Sequence, residues 1–540
     1  MGWATDVLDR LQFAFGPRVQ AELVFSLLAV SLFSLLFRFR PAWRDFALAY
    51  FRRIAARPYL PYVIVGLFPV CLRLLAIYWR SVPEPLMHDE FNHLLVADTL
   101  LHGRLANPSH PFWRHLETIY VLQQPSYASS YPIGQGAMLA LGILLTGHAW
   151  GGVLLSAALM CAAILWMLRA WLDPAWSFLG ALLPSVIFCV ATVFVDTYWG
   201  GPLSAAAGAI LFGALARGMP ALAVAAWSVI WLIRPFEAAC LAMVVGAVLL
   251  VRARAWAGRD WVKLALCLVP VMALTLWHNY RVTGSPWLLP YQLSQQVYGV
   301  PQSMRFQTVV PRPALGAKFL EDSYVWQLGA RHELDADWPG RIADKLYRFG
   351  GFFVDYYFLI PCLLFPWVRI PHRWWIAGSC LAILLGNLFY PFFFYHYAAP
   401  LTGLVMLTAL SGCVYLRRFR WGVFLVAVLL VCTVFRPVRD AMHDRFQPIA
   451  ASPMSKGRHD VELRLRAIPG RHLVFVQYAP DHDFHREWVY NGAEIDAAKI
   501  VWARPIDPES DAAFRRQLSS DHVWRLEPDA TPPTLTAIEQ

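Results

Sequence analysis

The sequence is poor in charged residues. Only 15% of its 540 residues are Asp, Glu, Lys or Arg, whereas 58% are hydrophobic. A soluble domain carries charge at about a quarter of its positions. The apolar residues are gathered in repeated runs, many of them long enough to span a bilayer or nearly so. This composition excludes an ordinary soluble domain and predicts a polytopic α-helical membrane protein.

Cysteine is absent from the polar segments, because all nine cysteines, from Cys71 to Cys432, lie in apolar runs. That distribution excludes a disulfide framework and a CxxC site and favours buried thiols. The sequence also lacks a Walker loop, a GxSxG elbow and a glycine-rich dinucleotide fingerprint. The first 20 residues have no apolar core followed by a cleavage site, so no removable signal peptide is expected.

The net charge of +10 comes largely from arginines in short segments between apolar runs. Such clusters set membrane orientation, so we do not expect a nucleic-acid partner. Arg38 to Pro58 holds six arginines and one aspartate and is predicted to be cytoplasmic. The run from Tyr59 to Trp79 then leads to the outer side. We therefore predict a multi-pass protein of the bacterial inner (plasma) membrane with its polar loops and tail outside.

Three regions follow from this pattern. Residues 1–58 form an N-terminal apolar helix and a basic cytoplasmic segment, and residues 59–436 form a transmembrane domain with outer loops at 81–132 and 278–349. Residues 437–540 form a small soluble α/β tail, because strand-like and helix-like patterns alternate there. The predicted tail strands are His472–Tyr478, Lys499–Ala503 and His522–Leu526.

Three apolar runs lie between the first outer loop and a turn at Asp196 that is also predicted to be outside. Three crossings cannot join two outer positions, so one run must fail to cross. The candidates are 133–147, which is short and contains glycines, and 175–195, which contains Pro184.

The first outer loop carries two adjacent carboxylates, Asp89 and Glu90, next to a membrane span. A carboxylate at a bilayer edge can act as a general base. Asp89 also precedes a helical pattern, Phe91 to Leu101, so the alternative is a helix cap or a solvated acid. We treat both carboxylates as candidate catalytic residues.

Four further residues are candidates for substrate binding. Arg234, at the outer end of an apolar run and before Pro235, can grip a phosphate through two parallel hydrogen bonds. It could instead snorkel to the interface or pair with Glu237. Arg73 lies within a run, where a charge is costly unless it is paired or faces a cavity. The other two candidates are Asp196, in a tight turn, and His396, between two tyrosines that an interfacial aromatic belt also explains.

Together these features resemble the GT-C superfamily of polyprenyl-phosphate-dependent glycosyltransferases, which includes protein O-mannosyltransferases, lipid A aminoarabinose transferase and Rgt-like transferases. The matching elements are the outer-loop Asp89-Glu90 after an early span and the Tyr131-Pro132-Ile133-Gly134-Gln135 element. The outward Asp196 and Arg234-Pro235 also match. The resemblance covers about residues 59 to 410. The chain departs from it at Ile133, where the family often has a second proline, and in its tail.

The resemblance implies a membrane enzyme that moves a sugar from a polyprenyl-phosphate donor to an extracytoplasmic lipid, glycan or protein acceptor. In this resemblance Asp89 corresponds to the family's catalytic acidic residue, with the role of general base, and Arg234 to a donor-phosphate contact. Direct attack on the donor, with one carboxylate as base, would invert the sugar carbon. A divalent metal ion is left open as a cofactor, with no metal ligands assigned. The competing class is a polytopic transporter or lipid flippase without catalysis, which more often shows inverted repeats and charges within its spans.

Overall fold

The computed structural model describes residues 16–253, 257–299, 304–308, 311–443 and 453–538. Parts of the predicted N-terminal region and of the predicted tail therefore lie outside the described residues. Within these ranges the chain is mostly helical, and eight helical segments are long and apolar enough to cross a membrane. The expectation of a polytopic helical protein with a small C-terminal α/β unit is confirmed.

The helices are numbered along the chain. They are α1 Pro17–Phe39, α2 Pro41–Ala55, α3 Leu60–Leu75, α4 His88–Leu101, α5 Ile133–Thr146, α6 Trp150–Leu168, α7 Pro174–Phe188, α8 Gly201–Arg217, α9 Pro220–Ile233, α10 Pro235–Ala253, α11 Gly258–Thr283, α12 Pro290–Tyr298, α13 Lys318–Ala336, α14 Trp338–Phe349, α15 Asp355–Leu363, α16 Arg373–Leu388, α17 Thr402–Leu416, α18 Gly422–His443, α19 Pro453–Ala467 and α20 Pro508–Leu518. The strands are β1 Asn107–Pro108, β2 Val121–Leu122, β3 Ser126–Ser129, β4 His472–Val476, β5 Ile500–Ala503, β6 His522–Glu527 and β7 Thr534–Ala537.

Two predicted segments differ from the structure. The segment 278–349 is largely helical, because it contains the end of α11 and all of α12, α13 and α14. The predicted run 175–195 is helical only to Phe188, and an irregular turn follows. Sequence periodicity missed α13 because that helix has polar residues around much of its circumference.

Helix α5 begins and ends on the same face of the helical bundle. It starts at Ile133, two residues after Tyr131, which bonds Asp89, and it ends at Thr146, because the left-handed φ of 76° at Gly147 stops the helix before α6. The first residue of α6, Trp150, lies under the guanidinium of Arg73, at the far end of α3 from the basic segment. Beyond the other end of α6, Arg169 donates to the carbonyls of Ala55 and Arg57 in that basic segment.

Helix α7, in contrast, connects the two faces. Near its start, Phe178 packs against Phe51 of the basic helix α2 at a ring distance of 5.2 Å. The turn after its end brings Asp196 to Arg73 on the opposite face. Of the two runs that could fail to cross, 133–147 is therefore the one whose ends share a face.

This arrangement predicts an unusual accessibility pattern. An epitope tag inserted between Gly147 and His148 should react from the same side as a tag at Ser109, and a tag at Arg53 only from the other. The arginine distribution predicts that the shared side is extracytoplasmic. Antibody labelling of intact and permeabilised cells measures this, with the Ser109 and Arg53 tags as the two reference positions. A Gly147 tag that reacts from the Arg53 side would show that α5 crosses.

The C-terminal region folds against the first outer loop. Its sheet has the order β5-β4-β6-β7, with β4 parallel to β5 and β6 and β7 antiparallel to β6. The predicted strands are present with slightly different ends, and β7 was not predicted. Phe91 of α4 and Leu116 of the outer loop share one hydrophobic core with Phe475 of β4 and Phe514 of α20. The tail therefore forms part of the surroundings of α4.

Candidate active site

The N-terminus of α4 positions the two adjacent carboxylates in different directions. Met87 is extended and α4 starts at His88, so Asp89 and Glu90 lie in the first turn. Both oxygens of Glu90 accept backbone N–H groups: one from Leu86 (3.0 Å) and Met87 (3.1 Å), the other from Tyr198 (3.3 Å). Glu90 is fully buried, and burial raises its pKa to about 7 against these three bonds. Its contacts are those of a capping residue.

Asp89 is partly buried and points toward a tyrosine. The hydroxyl of Tyr131 donates to its Oδ1 at 2.5 Å. Burial raises the pKa of Asp89, while the Tyr131 bond and the charge of Arg234 act in the opposite direction. Tyr131 holds one oxygen in place, which leaves the second oxygen to accept a proton. The helix cap considered for Asp89 from sequence is provided by Glu90 instead.

Arg234 reaches the same site because proline interrupts the helix there. A residue before proline is disfavoured in the α region, and Arg234 adopts φ −147° and ψ 84° between α9 and α10. Its Nε donates to Glu237 at 2.8 Å, and its guanidinium lies 4.1 Å over the ring of Tyr397. The local pairing with Glu237 considered from sequence is therefore present. It occupies Nε, so the two Nη groups can bind an anion at the N-terminus of α10.

Aromatic and imidazole side chains surround Asp89 and Arg234. His93 lies one turn after Asp89 on α4, and its ring is 5.1 Å from that of Tyr131. The side chain of His396 is buried, and the centre of its ring lies 4.9 Å from that of Trp199. Among the described residues, the Nδ1 atoms of His93 and His396 are buried without a hydrogen-bond partner. Burial and Arg234 lower the pKa of His93 to about 3, so this ring is a neutral donor or acceptor.

Arg73 and Asp196 belong to a second cluster. The Arg73 Nη2 lies 2.9 Å from Asp196 Oδ1, and Arg80 binds the other oxygen of the same carboxylate. Arg73 also donates to the carbonyls of Arg80 (3.1 Å) and Ser81 (3.0 Å). These contacts account for the burial of both charges without a substrate. Substrate binding by this pair stays a prediction.

Of the six candidates, the structure brings together Asp89, Arg234 and His396. Glu90 follows Asp89 in the chain, but its carboxylate is turned to the backbone, and Arg73 and Asp196 bind each other. Within the described ranges, no group of three or more His, Cys, Asp or Glu side chains is arranged to hold a metal ion. The carboxylate of Glu90 is instead engaged with the backbone, because both of its oxygens accept N–H groups.

Sequence reasoning missed several residues of this site. Tyr131 was noted only as part of a motif, and Tyr397 only as a possible belt residue. Tyr291, from the predicted loop 278–349, and Tyr390, just after α16, share a hydrogen bond and carry no sequence signal for this site. His93 could have been found, because residues four apart on a helix lie on one face.

No protein-family model matches this sequence, and no curated protein matches it either. Solved structures do resemble it. ArnT from Cupriavidus metallidurans, solved with undecaprenyl phosphate, has a TM-score of 0.48 and 10% identity, covering 86% of this chain and 92% of ArnT. The same protein in the apo state has a TM-score of 0.46 and 11% identity, covering 85% and 92%.

The oligosaccharyltransferase AglB of Archaeoglobus fulgidus is also similar. The structure with an inhibitory peptide and a dolichol-phosphate has a TM-score of 0.42 and 10% identity, covering 86% of this chain and 69% of that chain. The likeness is to the arrangement of helices, at identities of 10–11%. The chain is thus similar in overall structure to ArnT and to an archaeal oligosaccharyltransferase, both of which have been solved with a polyprenyl phosphate.

Proposed function

We propose that this chain is a membrane glycosyltransferase that uses a polyprenyl-phosphate sugar as donor, with Asp89 as general base. The observation that carries the proposal is the convergence of a partly buried carboxylate and an arginine on one site beside the candidate spans. The two residues come from separate helices, α4 and the α9–α10 break. A base and an anion-binding group are the two functions that sugar transfer from a phosphate requires.

The reaction follows from these two groups. The acceptor hydroxyl attacks the anomeric carbon, its proton passes to Asp89, and the bond between that carbon and the phosphate oxygen breaks. The polyprenyl phosphate leaves with the electron pair and one additional negative charge, which the Nη groups of Arg234 stabilise. Since the acceptor attacks directly, without a covalent enzyme intermediate, the sugar carbon is inverted. Tyr131 orients the carboxylate through its 2.5 Å bond.

The proposed location is the bacterial inner membrane, with the site facing the extracytoplasmic side. Nucleotide sugars are made in the cytoplasm and do not freely cross membranes, so a site on that side needs a donor that arrives in the lipid. The arginine-rich α2 supports this orientation. Glu90 is proposed to hold the turn that carries Asp89.

One observation favours the alternative of a transporter. Besides Arg73, which the sequence places within a run, a second group of buried charges lies within candidate spans. Arg439 binds Glu22 (2.9 Å) and Asp355, and Arg436 binds Asp440 (3.0 Å). Charges within spans mark ion pathways in many transporters. If the purified protein transfers sugar from a radiolabelled polyprenyl-phosphate donor, it is an enzyme and not a transporter without catalysis.

The donor site is tested most directly by Arg234→Lys. Lysine keeps the charge but loses the two-pronged geometry, so we expect binding of a polyprenyl-phosphate analogue to weaken by about ten- to a hundredfold, the equivalent of one charge-assisted hydrogen bond. Arg234→Ala should weaken binding further, because it also removes the charge. Binding is measured on purified protein in detergent.

Arg217→Lys is the matched control. Arg217 also ends an apolar helix and also lies 4.1 Å over an aromatic ring, that of Trp166, but it is bonded to backbone carbonyls away from Asp89. Donor binding should be unchanged in this variant. Equal affinity of Arg234→Lys and the wild type would remove Arg234 from the donor site.

A further inference from the structure

A long apolar groove lies on the surface of the helical bundle between α3 and α6. Its volume is about 920 Å³, within the range of sites that hold a lipid or drug-sized ligand. One wall is formed by Gly66, Leu67 and Val70 of α3, and the other by Leu154, Leu155 and Ala158 of α6. Both helices are candidate membrane spans, so the groove opens toward lipid hydrocarbon.

The groove follows much of the length of a span. It extends along α3 from Tyr62, near the basic segment, to Leu74, near Arg73. At 1.5 Å per residue these positions are roughly 18 Å apart, more than half the thickness of a bilayer core. A groove with this length and an apolar lining fits an extended hydrocarbon chain.

The outer mouth of the groove is polar. Glu84, Thr146 and His148 line it, and Glu84 is 3.3 Å from His459 of the tail helix α19. The residues that line the groove include no lysine or arginine. Arg73, which lies over the lining Trp150, is bound to Asp196 and to two carbonyls. Arg458, near Glu84, also approaches Glu462 and two tail carbonyls.

This charge distribution selects between head groups. A phosphate at the mouth would lie against Glu84, which already faces His459 and Arg458, and the lining offers no lysine or arginine to bind the phosphate. A hydroxyl-bearing or cationic head group can instead donate to Glu84 and bond Thr146. The candidate phosphate contact, Arg234, lies in a different part of the bundle, between α9 and α10.

One tyrosine connects the segment at the mouth with Glu90, the residue that follows the candidate base in the chain. The hydroxyl of Tyr198 donates to the carbonyl of Pro83, beside Glu84, at 2.9 Å. Its backbone N–H donates to Glu90, beside Asp89, at 3.3 Å. A head group at the mouth is thus next to the segment that leads into α4.

We propose that this groove binds the hydrocarbon chain of a lipid acceptor, with an uncharged or cationic hydroxyl-bearing head group at Glu84, Thr146 and His148. That the bound lipid is an acceptor rests on the proposed function. The assignment narrows the class of acceptor from lipid, glycan or protein to lipid. The donor and the acceptor would then enter the site from two different positions along the bundle.

Gly66→Leu tests the groove by filling it. A Cβ at Gly66 would meet only the carbonyl of Ala158, at 4.0 Å, so a side chain can begin there in ordinary contact and extend into the groove. The probe is a diacylglycerol with a photoactivatable group in one acyl chain, which has a hydroxyl head group and no phosphate. In the wild type, we expect it to label peptides 60–75 and 150–158 at least tenfold more than peptide 235–253. Gly66→Leu should remove that difference.

The matched control is Gly246→Leu. Gly246 lies in the candidate span α10, and a Cβ added there would meet nothing within 4 Å, but this glycine does not line the groove. The substitution should leave the labelling unchanged. Ala158→Leu, on the opposite wall, fills the same space and replaces Gly66→Leu if that variant does not fold.

Three results would overturn the assignment. Equal labelling of the groove peptides and of 235–253 would mean bulk lipid only. Preferential labelling of the groove by a photoactivatable polyprenyl phosphate would make it a donor site. Unchanged diacylglycerol labelling in both folded groove variants would remove the groove as the binding site.

Binding of the polyprenyl-phosphate analogue should be normal in Gly66→Leu. If the wild type does not bind the polyprenyl-phosphate analogue, that result counts against the proposed function. The labelling would still show that the groove binds a lipid.

Discussion

Asp89→Asn should reduce the rate of sugar transfer by about a hundredfold or more, which is the contribution typical of a general base. The amide keeps the shape of the side chain and can still accept the bond from Tyr131, but it cannot take the acceptor's proton. Binding of the polyprenyl-phosphate donor should change much less, because Arg234 remains. The measurement is the single-turnover rate with a radiolabelled donor, together with donor affinity.

Asp98→Asn is the control on the same helix. Asp98 accepts the N–H of Ala493, a bond that the oxygen of an asparagine can also make, and it lies more than two turns from Asp89. Its transfer rate should be close to that of the wild type. A folded Asp89→Asn protein with near-normal transfer would exclude Asp89 as the base.

The pH dependence of the Asp89 reaction has a defined sign. Burial raises the pKa of Asp89, and the base is active only when deprotonated. The transfer rate should therefore fall as the pH is lowered through that raised pKa, at a higher pH than an exposed aspartate would give. Asp89→Asn should abolish this acid limb, whereas Asp98→Asn should keep it.

Asp196→Asn should destabilise the protein by about 3–5 kcal/mol, the cost of removing one partner from a buried ion pair. Asp196 accepts from both Arg73 and Arg80, and Arg73 and Asp196 are almost completely buried. An asparagine would leave the charge of Arg73 without its carboxylate in the interior. The free energy of unfolding is measured by chemical denaturation in detergent micelles.

Asp173→Asn provides the comparison for that measurement. Asp173 is exposed and caps α7 by accepting the N–H groups of Ala175 and Trp176, and asparagine caps helices equally well. Its stability should change little. If Asp196→Asn is as stable as the wild type and binds the donor analogue more weakly, Asp196 contacts substrate as the sequence suggested, and its role is not structural.

Several features could be predicted because they depend on local properties of the chain. Apolar runs identified most of the membrane-type helices, and arginine clusters divided the segments between two faces. The tail strands were predicted at nearly the observed positions because each is a short run of residues suited to a buried strand. Helix α13 was missed because its sequence has no clear apolar stripe. The early end of α7 was missed because residues 189–195 remain apolar and buried without being helical.

The candidate site could be predicted only in part from the sequence, for a different reason. Adjacent residues in a first helical turn point in different directions, so Asp89 and Glu90 can look equivalent in sequence and differ in structure. Glu90 finds three backbone N–H groups, whereas Asp89 finds a tyrosine hydroxyl. Which carboxylate faces the site depends on where α4 begins and on where Tyr198 lies, and neither is encoded by the Asp-Glu pair itself.

The sequence by itself determined the class of protein, a polytopic helical membrane protein with an α/β tail, because hydrophobicity and charge act on each segment independently of its neighbours. It also supplied Asp89 and Arg234 as candidates. Only the tertiary structure brought those two together and paired Arg73 with Asp196. It also placed both ends of α5 on one face. Such outcomes depend on how distant helices pack, and a buried charge takes whichever partner that packing brings near, which no local pattern specifies.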